Sequence, residues 1–120
     1  MTLKATRFHG TGVSHRVVLQ DDVKASLNSN LAYVSGTLLS VIIETGVKGN
    51  AYVKFFSGYL PSIGSTNPHI VFRGSPGTTE IYELPDGFAF TSLHMWATKN
   101  ANPLDIIDPP SKTKVTLLLG

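Results

Sequence analysis

Apolar and polar residues alternate with a period of two along most of this chain. The runs are short, rich in Val, Ile, Phe, Tyr and Thr, and separated by Gly, Pro, Asn and Asp. The spacing predicts strands near 3–8, 14–20, 38–44, 51–57, 69–73, 78–84, 87–90, 93–98 and 113–119. Gly46-Val47-Lys48-Gly49-Asn50 between two alternating runs reads as a hairpin, because its glycines can adopt the positive φ that such loops require. Pro85-Asp86-Gly87 reads as a turn, with proline presetting φ and glycine accepting the left-handed position. Asp21 to Asn28 is the one stretch with a helical aspect, about two turns long, capped by Asp21 or Asp22 and ended by Asn28.

Many short strands at turn spacing imply an all-β fold, an antiparallel β-sandwich or barrel. Alternation then sorts the side chains by face. Leu39, Val41 and Ile43 are expected inward, as are Val53 and Phe55, with Lys54 between them directed to water. Val115, Leu117 and Leu119 follow in the last strand, and Phe72, Ile81, Phe88, Phe90, Leu93 and Met95 complete the expected core. Leu38, Ile42, Tyr52, Phe56, Trp96 and Leu118 fall out of phase with this set. A sheet with one solvated face should carry polar residues there. Two accounts are open: loops or the amino-terminal segment cover these residues, or a partner does, since Tyr, Trp and Phe are enriched at interfaces. The connection from Gly58 to Pro68 is longer than a usual hairpin loop and carries Tyr59, Leu60 and Ile63, which must fold back on the body or touch something else.

Composition sharpens this picture. The chain has 120 residues, the size of one domain, and it should bury roughly 65% of its unfolded surface. Only 15% of the residues are charged, against roughly 25% in an average domain, so part of the surface is expected not to face water. Ten Lys and Arg against eight Asp and Glu give +2 with no basic cluster, which argues against nucleic-acid binding. There is no cysteine, which excludes disulfides, zinc-thiolate sites and cysteine nucleophiles. No apolar run approaches the length of a membrane span, and the first residues lack the apolar stretch of a signal peptide. A soluble, non-exported chain is the expectation.

Candidate chemistry is sparse. The four histidines, His9, His15, His69 and His94, show no metal-ligand spacing. Glu80 and Glu83 fall on opposite faces of one strand, Asp21 and Asp22 read as capping residues, and Asp105 and Asp108 lie in a Pro-rich loop. No serine sits in a nucleophile elbow, and no glycine-rich loop has the lysine and helix of a phosphate site. The expectation is no enzyme, no cofactor and no metal. The aromatic residues could instead stack on sugar rings, although only Tyr52 and Phe56, flanking Lys54, approach a flat platform.

From Gly36 onward, the order of motifs resembles a group of small tailed-bacteriophage virion proteins. The matching pieces are Gly36-Thr37-Leu38-Leu39-Ser40-Val41-Ile42-Ile43, Ala51-Tyr52-Val53-Lys54-Phe55, Pro61-Ser62-Ile63-Gly64-Ser65-Thr66-Asn67-Pro68, Pro76-Gly77, Gly87-Phe88-Ala89-Phe90, and the closing Lys114-Val115-Thr116-Leu117-Leu118. The glycine expected after Gly-Phe-x-Phe is replaced by Ser92-Leu93, and the amino-terminal third carries no matching motif. The resemblance implies a jelly-roll-like sandwich over 13–120 with an amino-terminal arm or first strand over 1–12. It also implies a homo-oligomer, a trimer by preference, bound to the major capsid protein or other virion proteins on the outer capsid. A decoration or cement role is the first expectation, and a tail, neck or fibre component of the same fold or a carbohydrate-binding module is the alternative. The expected contacts are Leu3, Arg7 and Phe8 of the arm, Tyr59, Leu60 and Ile63 of the loop, and Tyr52, Phe56 and Trp96 of the strands.

Overall fold

A computed structural model describes the backbone of residues 2–7, 14–32 and 35–120. Among the described residues there are nine strands: β1 (Thr2–Arg7), β2 (Ser14–Gln20), β3 (Asn28–Ala32), β4 (Gly36–Thr45), β5 (Ala51–Ser57), β6 (Ile70–Gly74), β7 (Thr79–Phe90), β8 (Leu93–Thr98) and β9 (Thr113–Leu119). They form two antiparallel sheets, β1-β2-β9-β4-β7 and β3-β8-β5-β6. From β2 onward the chain changes sheet at every step except the β5–β6 hairpin. With β1 set aside as an added edge strand, the two four-stranded orders are those of a jelly roll; the antiparallel sandwich is expected from the strand pattern, and the jelly-roll form from the motif resemblance.

The inner faces meet in one apolar core. Val18, Leu38, Val41, Ile43, Val115, Leu117 and Leu119 come from the first sheet, and Val53, Phe55, Leu93, Met95 and Ala97 from the second. The Phe55 and Phe72 rings meet edge to face at 5.9 Å, a geometry aromatic pairs favour.

Several expectations are corrected. Residues 21–28 form no helix; the backbone is used to tie the two sheets together. The Val23 N–H donates to the Thr113 carbonyl and the Ala97 N–H to the Lys24 carbonyl, each at 2.8 Å, and Val23 is buried. Asp22 does cap a backbone group, but the group is the N–H of Thr113 on β9, at 3.3 Å. The strand β3 was not expected, because Asn28, Ser29 and Asn30 are turn formers; Leu31 in the core and pairing with β8 hold it extended.

Strand β7 is continuous where two strands were expected. Leu38 pairs with Phe88 and Ser40 with Glu83, so the four residues from Leu84 to Gly87 bulge out opposite Leu39 alone. Pro85 is tolerated because β7 is an edge, and Gly87 takes φ 71°. Against β9, Leu38 pairs with Leu119 and Ser40 with Leu118, so Leu39 is an extra residue of β4 and the face assignment shifts: Leu38 is the buried residue and Leu39 the half-buried one. Ile81, expected in the core, pairs with Ile42 on the outer face and stays 61% exposed.

Candidate functional site

The outer face of the β3-β8-β5-β6 sheet is where structure and expectation diverge most. Cross-strand pairing sets Lys54 beside Trp96 and Val71, and Phe56 beside His94. Solvation of this face would leave an indole, two aromatic rings and a lysine in water. Two loops prevent that, residues 58–69 after β5 and 99–112 after β8. Lys54, expected to reach water, is 0% exposed, as is Trp96, and Phe56 is buried with them.

The first loop is organised around Phe56. The His69 ring stacks on Phe56 at 4.4 Å, and Tyr59 meets it edge-on at 5.0 Å. The Ser57 N–H donates to His69 Nδ1 at 3.0 Å, and His94 Nε2 donates to the Gly58 carbonyl at 2.9 Å, which fixes both tautomers. Farther along, the N–H groups of Ser65 and Thr66 donate to the Ser62 carbonyl, and the Ser62 N–H donates to Thr66 Oγ1. Gly64 takes φ 92° in this turn.

The second loop is organised around Asp105 and Asn102. Asp105 accepts from the N–H groups of Asn100 (2.8 Å) and Ile107 (3.3 Å), and Asn102 Oδ1 accepts from the Leu104 N–H (2.9 Å). The Asn102 carbonyl accepts twice, from the Asp105 N–H at 3.0 Å and from Lys54 Nζ at 2.6 Å. Asp108 reaches the Ala25 N–H at 2.8 Å. Desolvation lowers the Lys54 ammonium from its ordinary pKa, and the negative charge of Asp105 opposes that shift. For Asp105, desolvation acts upward, but hydrogen bonds from Asn100 and Ile107 and the Lys54 charge outweigh it, so the carboxyl lies below its ordinary value.

The two loops adjoin at Gly64, where an added Cβ would lie 2.9 Å from Ile106 Cγ2. Each loop satisfies polar groups within itself, and several of its large apolar side chains stay exposed. Tyr59 is 72% exposed, Leu60 67%, Ile106 65%, Ile107 52% and Leu104 42%. Side chains of this size in water are what an isolated fold avoids and a docking surface needs.

Of the expected contact residues, Tyr59 and Leu60 are exposed here, and Ile63 and Tyr52 are half-buried. Phe56 and Trp96 lie beneath the loops and support the surface without forming it. Leu3 and Arg7 are on β1, opposite Val18 and Ser14, and Phe8 lies outside the described residues. Leu104, Ile106 and Ile107 were missed. Three large aliphatic residues in a Pro- and Asp-rich stretch were the available signal, the same signal that singled out the first loop.

Among the described residues no three His, Cys, Asp or Glu side chains gather as metal ligands. Comparison with family models, curated proteins and solved structures finds no match to this chain.

Proposed function

We propose that this chain is a structural component of a bacteriophage virion, a decoration or cement protein that works by docking rather than by catalysis. The observation that carries the reading is the exposure of Tyr59, Leu60, Leu104, Ile106 and Ile107 on two internally hydrogen-bonded loops that adjoin at Gly64 and Ile106. Because the loops are already ordered, docking costs little further conformational entropy, and apolar burial is available as binding energy. A contact of about 1,600 Å², repeated over many lattice positions, holds by avidity without any single strong contact. The resemblance in motif order and the jelly-roll topology, which recurs in viral capsid domains, support the same reading. On it, the major capsid protein is the partner.

The test is quantitative mass spectrometry of purified particles of the phage that encodes the chain. Many copies per particle are expected; a handful would move the protein to the tail, neck or a fibre, and absence would end the virion reading. Replacing Tyr59 and Leu60 by Ala should lower occupancy while leaving the isolated fold intact, and equal occupancy would remove the loop from the contact. A sugar-binding reading draws on the exposed Tyr59 and His69 rings, which both contact Phe56. A chemical-shift titration with glycans, read at these two residues, would separate it.

A further inference from the structure

Both ends of loop 58–69 are fastened through an imidazole. At its exit from β5 the Gly58 carbonyl accepts from His94 Nε2 at 2.9 Å, and at its return to β6 the His69 ring accepts the Ser57 N–H on Nδ1 at 3.0 Å. The two rings meet one side chain: His69 stacks on Phe56 at 4.4 Å with the planes 9° apart, and His94 lies 6.5 Å from it. Neither role is exchangeable. An amide N–H only donates, so His69 Nδ1 must keep its lone pair; a carbonyl only accepts, so His94 Nε2 must keep its proton. That leaves His94 Nδ1 as the lone-pair nitrogen, on a residue 2% exposed and with no hydrogen-bond partner.

A second proton fits neither ring. On His69 it turns Nδ1 into a donor facing the Ser57 N–H, and on His94 it places a charged N–H in the interior without an acceptor. Nothing around the rings offsets such a charge. Among the described residues no carboxylate lies within ion-pair distance of either imidazole. The first loop brings only Tyr59, β8 nothing charged, β5 Tyr52 and Lys54, and β6 Arg73. Strand β7, whose Phe88 ring lies 6.2 Å from His69, carries Glu80, Glu83 and Asp86. Of these, Glu80 accepts from the Ser75 N–H and the Tyr82 hydroxyl, and Glu83 and Asp86 are exposed. Asp105 of the second loop is engaged by its own amides. Contact of an imidazolium with the Phe56 face is the one favourable term, and at an exposed ring such as His69 it is no larger than the hydrogen bond lost.

We infer that loop 58–69 is an acid-released latch: it closes over Phe56 while His69 and His94 are neutral and opens when they take up protons. Closure and the second proton exclude each other. Closure is therefore favoured at neutral pH and weakens as pH falls from about 8 to about 5, the range in which histidine ordinarily titrates. The backbone bonds at the base of the loop, from the Gly58 N–H to the Ser92 carbonyl and from the His69 N–H to the Phe55 carbonyl, do not titrate. The strands thus stay paired while the loop between them lifts, and Tyr59 and Leu60 move with it. The latch belongs to the isolated chain and does not rest on the virion reading.

Amide exchange of the purified chain between about pH 7.5 and about pH 5.0 tests this, expressed as protection factors so that the intrinsic pH dependence drops out. Protection at Ser57 should fall about tenfold, and the nuclear Overhauser effect between the Tyr59 and Phe56 rings should weaken with it. The amides of β4 and β9, and those of Asn100 and Ile107, should hold theirs within about twofold. Loop 99–112 is the internal control, because Asp105 stays ionised over this range. His69→Asn keeps an acceptor for the Ser57 N–H, His94→Gln keeps a donor for the Gly58 carbonyl, and neither substitute titrates. The double variant should lose no more than about twofold at Ser57 over the same range. Equal protection of the parent chain at both pH values, a fall that persists in the double variant, or an equal loss across β4 and β9 would each overturn the inference.

Discussion

Replacing Lys54 by Met separates the ammonium from its stem. Methionine keeps a long unbranched side chain beneath loop 99–112, so the packing against Trp96 is retained while the charge goes. Two terms then oppose each other. A hydrogen bond to a charged donor contributes about 1.5–3 kcal/mol. Against that, desolvating an ammonium costs several kcal/mol, of which only part returns through Asp105 and the Asn102 carbonyl. The acceptor left behind is not orphaned, because the Asn102 carbonyl still receives the Asp105 N–H at 3.0 Å. The expected global change is therefore small, within about 1.5 kcal/mol of zero. Lys54→Ala removes the stem as well and should cost about 2–4 kcal/mol through the cavity.

The assay is urea unfolding of both variants, with amide exchange measured on the Lys54→Met protein. Exchange at Asn100, Leu104 and Ile107 should speed up by about tenfold, the equivalent of 1.4 kcal/mol of local opening, while the amides of β4 and β9 keep their protection. A global loss above about 3 kcal/mol in Lys54→Met would refute the reasoning, because it would mean that the ammonium itself holds the fold. Unchanged exchange in the loop would show that Lys54 does not anchor it.

The depressed Asp105 pKa makes loop 99–112 acid-sensitive: its contribution is present at neutral pH and is lost as pH falls below the ordinary 3.8 through the lower folded value. Asp105→Asn should flatten that part of a stability-against-pH curve, and an unaltered acid limb would count against the assignment. Lys54 has the opposite sense. Its penalty is fully present at neutral pH and is relieved as pH rises through the lowered folded value toward 10.5, so Lys54→Met should remove a rise in stability on the alkaline side. Gly87→Ala combines a left-handed φ of 71° with a Cβ that would run into Thr37 Cγ2 and should cost about 2–4 kcal/mol, read as a thermal midpoint about 8–15 °C lower. Phe56→Ala removes the ring on which His69 and Tyr59 rest. It should cost about 3–5 kcal/mol and should raise exchange at Ser57, Ser65 and Thr66 before it affects β9.

Eight of the nine strands were legible in the sequence, with two predicted segments fusing into β7, because half-buried strands print their period on the chain. The failures have particular causes. Strand β3 has polar residues at three of its first positions and owes its conformation to its neighbour β8. The 21–28 segment has a capping pattern, but its N–H and C=O groups find partners on β8 and β9 that a local pattern cannot reveal. The bulge at Leu39 inverts one side of β4, since an extra residue in a strand exchanges its faces. Lys54 was assigned to water from its charge alone. Nothing in its immediate neighbours reports that Asn102 and Asp105 arrive forty-eight and fifty-one positions later to receive it. For the site, Tyr59, Leu60 and Ile63 were legible as apolar residues in a loop. The exposure of Leu104, Ile106 and Ile107 was not, because it is set by how loop 99–112 packs on the sheet.

The outward-facing apolar residues that first suggested a partner divide into two groups with different explanations. Phe56 and Trp96 stand on a sheet roofed by its own loops, so they need no neighbour to keep them from water, while Tyr52 beside them stays half-buried. The apolar surface removed from that sheet reappears on the outer side of the loops, displaced onto Tyr59, Leu60, Leu104, Ile106 and Ile107. A fold concerned with its own stability alone could have covered Trp96 with polar loop residues, at the ordinary composition of a surface. Ile42 and Leu118 stand on the sheet whose outer residues stay half-exposed, and β7 adds Ile81 to them. The molecule thus presents apolar surface on opposite sides of one rigid sandwich. Two such surfaces cannot both be covered by a single flat partner, so saturating one should leave the other free.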